Sequence, residues 1–421
     1  MELTLSNIGK IHNKTTLKFD GITVLAGENG SGKSTISKAL FCMFDSMYDI
    51  ERKILRDRER EIANIILSSK ETKDSHGRWP GLSGQFVNQL MEAYVNKKNV
   101  QAIIDEIKMS GIQLAEWTTT EELAHRIEQI LLVPKEKIHE RMIIRTLQDK
   151  FDGHIANVNF PEEDCYIRMT VKKKELSITI SPNDTLSFQQ GIQLLKDVIY
   201  IDDSYGVEKL FGKSGLYYSS GNFLWNGLRI DMEFDSEENL TAAGELLNEQ
   251  RVSEIYALME EMGIGEMRRD DNGRWLYAAR NLRVPIGIEN VSSGIKPFLA
   301  LKHLLEFEKI DRKGVIILDE PEVHLHPKWQ EQYAEIIVMM QKIFNLTMLI
   351  STHSADFVGF LEYYTKKLGT SQFCHYYLMN NSSDDAFVTV EDVTDAIDKI
   401  YKELSLPYIR IIEQLDGEDN K

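Results

Sequence analysis

The segment GENGSGKS, Gly27 to Ser34, follows the apolar run ITVLAG and opens a stretch whose apolar residues recur three and four apart. This matches the spacing G-x-x-x-x-G-K-[ST] between a strand and a helix, the pattern of a loop that wraps phosphate. Its glycines let the backbone curl so that successive N–H groups point at phosphate oxygens, and the helix start adds its positive end. Asn29, Gly30, Ser31 and Gly32 therefore form the cradle. Lys33 reaches the β- and γ-phosphates, the Ser34 hydroxyl ligates Mg²⁺, and Thr35 holds the α-phosphate. ATP with Mg²⁺ is the cofactor this chemistry calls for.

Three further elements carry weight beside that loop. VIILDE, Val315 to Glu320, is an apolar strand ending in two carboxylates. Alone, such a strand simply meets solvent. Some 285 residues after a phosphate loop, it sets Asp319 to fix Mg²⁺, through water or Ser34, and Glu320 to polarise the attacking water beyond the γ-phosphate. LISTHS delivers His353 at a strand tip 33 residues after Glu320, where a histidine hydrogen-bonds a γ-phosphate and reports its presence. A solitary histidine there is ordinarily structural or exposed. In ENVSSGIKPFLAL, Ser292, Ser293 and Gly294 precede a helix, so hydroxyls and free N–H groups gather as an anion site, or more plainly as an N-cap.

The elements that must position these groups follow from periodicity. LTLSNIG and TLKF alternate as strands, and GITVLAG is a buried-type strand feeding the helix from Ser34. Residues 45–150 are mostly helical, with breaks at SHGRWPGLSG and VPKEK, and no heptad pattern lasts long enough for a long coiled coil. CYIRMTV and LSITI flank KKKE as a hairpin, and DVIYIDD is a strand. A helix around NLTAAGELLNEQRVSEIYALMEEM follows, then strands WLYAAR and VPIGIEN and a helix from about Lys296 to Phe307. The strand GVIILDE, a helix after Pro327, the strand LTMLIST and a mixed tail complete the chain. Strands near both ends alternate with helices as in a parallel α/β sheet, with the middle inserted. The predicted domains are an α/β head from 1–44 and 151–421, with a mixed sheet, and a helical arm or cap from 45–150.

Composition narrows the class. With 421 residues, 49 Lys+Arg against 66 Asp+Glu and a net charge of -17, the chain is long enough for a large core and too acidic to coat nucleic acid by bulk charge. At 42% hydrophobic and 27% charged it is ordinary for a globular protein. No apolar run approaches the ~18 residues of a membrane helix. The start, MELTLSNIGK, lacks a signal-peptide pattern, and Cys42, Cys165 and Cys374 are scattered, so a cytoplasmic location without membrane partners is expected. Lys172, Lys173 and Lys174 read as a solvated turn, with phosphate-backbone contact as the other reading. Met267, Arg268, Arg269 and Arg274 extend a basic edge diluted by Asp270 and Asp271. Trp79 beside Pro80 reads as packing, and Glu51 to Glu61 as a solvent-laced helix face.

Phosphate loop, serine-glycine signature about 25 residues before the DE strand, then the histidine: this order resembles the ATP-binding-cassette (ABC) ATPases. DEPEVHLHPKWQ and STHS look more narrowly like the RecF and OLD (overcoming lysogenization defect) branch. The resemblance covers roughly 1–44 and 280–360. It implies a P-loop NTPase head and a homodimer sandwiching two ATPs, each between one subunit's phosphate loop and the other's signature, with larger assemblies open. Carried over by position, Ser292, Ser293 and Gly294 would touch the γ-phosphate in trans. Glu322, His324 and His326 would fall in the loop that lines the dimer seam, or form a polar helix start before Pro327. The signature reads VSSGIK rather than LSGGQ, unlike a transporter subunit. The tail after His353, with Asp384 and Asp385, lacks the room for the metal-dependent nuclease domain of OLD nucleases. The chain then resembles the stand-alone ATPase subunits of Septu- and PARIS-like defence systems. These imply a slow ATPase that acts as a sensor or regulatory switch, partnered by a separately encoded nuclease or toxin. A RecF-like repair ATPase that binds DNA directly is the alternative, and an energising transporter subunit or a non-hydrolysing scaffold are further readings.

Overall fold

The computed structural model describes residues 1–69, 84–112, 114–183, 185–190, 194, 197–201, 242–270, 274–306, 313–383 and 385–406. The chain divides into two compact units, Met1–Tyr48 with Thr146–Lys421, and Asp49–Arg145.

The first unit is organised by a six-stranded sheet. Its strands are β3 (Ile22–Gly27), β7 (Asp197–Ile201), β11 (Lys313–Asp319), β12 (Thr347–Thr352), β13 (Cys374–Asn381) and β14 (Val388–Asp392), in the order β14-β13-β3-β12-β11-β7. Every pairing is parallel except that of β13 with the edge strand β14. All six residues of β3 are buried, as a continuous apolar run must be in a central strand covered on both faces. Among the helices of this unit are α1 (Lys33–Met47) and α7 (Ala242–Glu261), then α8 (Lys296–Glu306), α9 (Pro327–Phe344) and α10 (Ala355–Lys367). Ile22, Val24, Ile316, Leu318, Met348 and Ile350 of the strands share one core with Phe298, Tyr333 and Phe357 of the helices. The register places Asp319 beside Ser351 and Thr352 beside Ala26, so β3, β12 and β11 end along one edge. In an open α/β sheet the carboxyl ends of the strands are where ligands bind.

The first two strands do not join that sheet. β1 (Glu2–Ser6) and β2 (Thr15–Lys18) pair antiparallel and, with β4 (Cys165–Val171), β5 (Lys174–Ile180) and β6 (Leu186–Gln190), form a separate sheet in the order β2-β1-β4-β5-β6. Their polar–apolar alternation suits a half-buried antiparallel strand, which separates them from β3. The hairpin at KKKE turns on Lys172 (φ 47°) and Lys173 (φ 66°), the primed geometry that matches strand twist, while Lys174 already pairs with Val171. A third sheet holds β8 (Glu266–Arg269), β9 (Trp275–Ala278) and β10 (Ile286–Gly287). The predicted strand VPIGIEN is therefore two residues long, and Ile288–Asn290 turn as a 3-10 helix.

The second unit is helical. It holds α2 (Ile50–Ser68), α3 (Gly84–Lys97), α4 (Val100–Ser110), α5 (Thr120–Leu132) and the beginning of α6 (Lys135–Lys150). Ile62, Ile66, Leu90, Ile103, Ile107, Leu123 and Ile127 form its core. Thr119 and Glu122 start α5 with a reciprocal capping box. Trp79, Pro80 and most of the SHGRWPGLSG break lie outside the described residues. Among the described residues no helix is long and apolar enough to cross a membrane.

Candidate functional site

The loop between β3 and α1 is shaped by its glycines. Gly30 and Gly32 have φ of 77° and 78°, a region that costs other residues free energy. At Gly27 an added Cβ would lie 2.5 Å from the Met379 carbonyl oxygen and 2.7 Å from Ser31 Oγ. Gly32 caps α1 without a side-chain hydrogen bond and the first turn carries no acidic residue, so the helix start is left to a ligand anion. Lys33 is only 4% exposed, and its Nζ donates to the carbonyls of Gly27 and Glu28 at 2.9 Å each. Burial lowers its pKa, against the opposing pull of Glu320, Asp319 and Glu322. Asn29 and Ser34 are exposed, Thr35 is half-buried, and Ser31 is buried. Lys10, from the turn after β1, donates to the Gly30 carbonyl at 2.7 Å.

β11 presents the carboxylates. Asp319 is buried, and its Oδ2 accepts a hydrogen bond from the Tyr200 hydroxyl of β7 at 2.8 Å. Glu320 turns into the left-handed region at φ 50°, while its N–H donates to the Ser351 carbonyl at 2.9 Å. Backbone strain of this kind, about 1–3 kcal/mol per residue, gathers at functional sites. The Glu320 carboxylate lies 3.8 Å from Lys33 Nζ and 3.4 Å from His353 Nδ1. β12 lies between β3 and β11, so its tip delivers His353 between the phosphate loop and the carboxylates. The Ser37 and Ser351 hydroxyls, 3.0 Å apart, tie α1 to the same strand.

Glu322 is turned inward. It is 3% exposed and accepts from the Thr352 hydroxyl and the His353 N–H. Its carboxylate is buried against Thr352 and His353 of its own chain. His324 and His326 are exposed, and His326 Nδ1 accepts from the Lys328 N–H at 3.3 Å as the cap of α9, with Pro327 behind it. The signature turn leads into α8. Ser292 is exposed and Gly294 buried, and a Cβ on Gly294 would lie 3.1 Å from the His324 carbonyl and 3.4 Å from the Trp329 ring. The basic edge is locally neutralised, with Arg268 paired to Glu266, Arg274 to Asp270 at 2.7 Å, and Arg269 over the Trp275 ring. Asp271 and Asp384 lie outside the described residues.

The donor set fits Mg²⁺ bound with a nucleotide. Asp319 Oδ1 and Ser31 Oγ are buried atoms without a hydrogen-bond partner among the described residues, and both belong to the elements that would hold phosphate and metal. Among the described residues no group of three or more His, Cys, Asp or Glu side chains makes a metal cage. Mg²⁺ characteristically takes one or two carboxylates and completes its shell with phosphates and water.

Residues 2–211 match a family model described as "AAA domain", and residues 263–358 match one described as "AAA domain, putative AbiEii toxin, Type IV TA system". The chain carries an ABC-type P-loop ATPase head. A stretch of 71 residues is 35% identical to a Methanosarcina acetivorans protein named "Putative ABC transporter ATP-binding protein", covering 17% of this chain. The chain thus matches only 21% of that relative's length. Among solved structures, the ATPase head is similar to an SMC head bound to the C-winged helix domain of ScpA (13% identity, TM-score 0.47, 93% of this chain and 96% of that one). It is also similar to the SMC head domain from Thermotoga maritima (10% identity, TM-score 0.40, 93% and 98%).

One residue of the head's site, Tyr200, escapes a reading of motifs, and the contacts of another, Glu322, do so as well. Tyr200 sits inside DVIYI, an apolar strand with no motif, and only the pairing of β7 with β11 brings it to Asp319. Glu322 stands two residues past the DE pair, where the sequence reads as a polar loop. An acidic residue so close to an apolar strand end was the available signal.

Proposed function

We propose that this chain binds ATP with Mg²⁺, hydrolyses it slowly, and works as an ATP-driven dimeric switch, the sensor or regulatory subunit of an antiviral defence complex whose nuclease or toxin is a separate chain. The observation that carries the catalytic part is the convergence of Lys33, Glu320 and His353, with 3.8 Å and 3.4 Å separations, at the ends of three adjacent strands. Bound Mg²⁺-ATP would supply the γ-phosphoryl group and most of the charge neutralisation. The N–H groups of Asn29 to Thr35 and the Lys33 ammonium hold the β- and γ-phosphates. Ser34 and Asp319 hold the metal, with Tyr200 orienting the aspartate. Glu320 takes the proton of the attacking water, so that ATP and water leave as ADP and phosphate, and His353 hydrogen-bonds the γ-phosphate. Ser292, Ser293 and Gly294 of a second copy close the site. The regulatory part is supported by the description of the family matched over 263–358, which names a toxin–antitoxin context.

Glu320→Gln tests both parts. Loss of the general base lowers turnover about 10²–10⁴-fold while ATP binding persists. Tagged Glu320→Gln with ATP-Mg²⁺ then traps a closed dimer, and a pull-down from the source cells recovers a nuclease- or toxin-like protein that Lys33→Ala does not. Unchanged turnover in Glu320→Gln sinks the catalytic assignment. Recovery of DNA without a stoichiometric protein moves the role to a RecF-like repair ATPase.

A further inference from the structure

We propose that Glu322 is a positioning residue: its buried carboxylate pins the end of β12 and so aims the His353 ring at Glu320. The inference rests on the roles given above to Glu320 and His353. One oxygen, Glu322 Oε1, accepts from the Thr352 hydroxyl and from the His353 N–H at 3.3 Å. The Thr352 hydroxyl oxygen in turn accepts from the Ser354 N–H at 3.0 Å, and Ser354 Oγ accepts from the Phe357 N–H at 3.2 Å to start α10. A single carboxylate oxygen thereby holds three consecutive residues and the helix that follows. Its own backbone is fixed as well, because the Glu322 carbonyl accepts from the Leu325 N–H at 3.0 Å and from the Gln330 amide at 3.4 Å.

The ring it serves has little else to hold it. Among the described residues His353 Nδ1 has no hydrogen-bond partner, and it lies 3.4 Å from Glu320 Oε1 and 3.9 Å from Glu322 Oε1. Ring direction is therefore set by the backbone at 352–354, which Glu322 clamps. Burying a carboxyl group is costly unless it is hydrogen-bonded, and here both bonds converge on one oxygen, so the contacts that offset its burial also fix the backbone at 352–353.

The test compares Glu322→Ala with Glu322→Gln. The glutamine oxygen can accept both bonds, whereas alanine removes them. Glu322→Ala should lower kcat about 10–100-fold, the usual effect of removing a supporting partner, with KM for ATP little changed because binding lies with Gly27 to Thr35. Glu322→Gln should recover most of that loss. A second readout needs no turnover. With ¹³C-labelled histidine, the His353 ring signal, identified by its loss in His353→Gln, stays single in Glu322→Gln and broadens or splits in Glu322→Ala. If Glu322→Ala folds poorly, Thr352→Val removes the bond to Glu322 together with the acceptor for the Ser354 N–H, and should show the same signature. A single, unmoved ring signal in Glu322→Ala, or equal damage by Ala and Gln, overturns the positioning role. Absent hydrolysis in the unaltered protein would count against the ATPase reading, and the ring signal would still decide this one.

Discussion

Tyr200→Phe probes the geometry around Asp319 most cleanly, since it deletes one hydroxyl and leaves the ring packed against Phe41, 5.9 Å away between centroids. The lost bond is a 2.8 Å hydroxyl-to-carboxylate contact between two buried side chains. Hydrogen bonds to charged groups contribute about 1.5–3 kcal/mol, and Asp319 Oδ1 has no partner among the described residues, so the variant removes the donor to Oδ2 while Oδ1 gains none. At about 2 °C per kcal/mol for a unit of this size, the head should melt roughly 3–6 °C lower. Removing the residue that orients a metal-holding carboxylate should also weaken Mg²⁺-dependent nucleotide binding about 10–100-fold. Titrating a fluorescent ATP analogue at fixed low Mg²⁺, then at saturating Mg²⁺, separates the two effects, because excess metal restores binding and leaves the melting shift in place. A variant that melts with the unaltered protein and binds the analogue equally at low Mg²⁺ refutes the account of Asp319.

The other predictions concern the loop and the buried carboxylate. Lys33→Ala should abolish analogue binding at concentrations that saturate the unaltered protein, since it removes the ammonium seated on Gly27 and Glu28; retained affinity refutes its role. Gly27→Ala places a methyl group 2.5 Å from a backbone oxygen that cannot swing aside, so the loop must shift, and analogue binding should fall at least tenfold, about 1.4 kcal/mol; unaltered binding argues that β3 and β13 are spaced otherwise. Burial pushes the Glu322 carboxyl above its usual value of 4.5, so in the window above that value the folded chain keeps a proton that the unfolded chain has released. Stability therefore falls as pH rises through this window, by at most about 1.4 kcal/mol per unit. Glu322→Gln should flatten that slope in denaturant titrations, and parallel slopes in the two proteins refute the burial argument.

Much of this was readable in the chain because local chemistry dictated it. Gly27 to Thr35 announces a phosphate loop by spacing alone, and VIILDE and LISTHS end in polar residues where buried strands must surface. The hairpin at Lys172 and Lys173 and the helix start at Pro327 are equally local. The destination of each strand was harder. TTLK and ITVLAG are near neighbours in sequence and enter different sheets, and the alternation that distinguishes them spans only a few residues.

The two contacts that sequence patterns did not reach are contacts between strands, and both follow from one fact of topology. Because β12 is inserted between β3 and β11, the loop after β11 must pass the tip of β12, so Glu322 finds Thr352 and His353, 30 and 31 positions away. Because β7 is the next strand outward, its penultimate residue, Tyr200, meets Asp319 across 119 positions. Neither pairing carries a motif, since any residue able to donate or accept at those places would serve the fold. What singles them out is burial: a carboxylate 3% exposed and another 8% exposed need donors that water cannot supply, and the sheet offers those donors only from its neighbouring strands. A buried carboxylate at a strand end thus predicts a donor on the adjacent strand, which makes Tyr200 and Thr352 the positions where exchange for Phe and Val should separate orientation of the site from its presence.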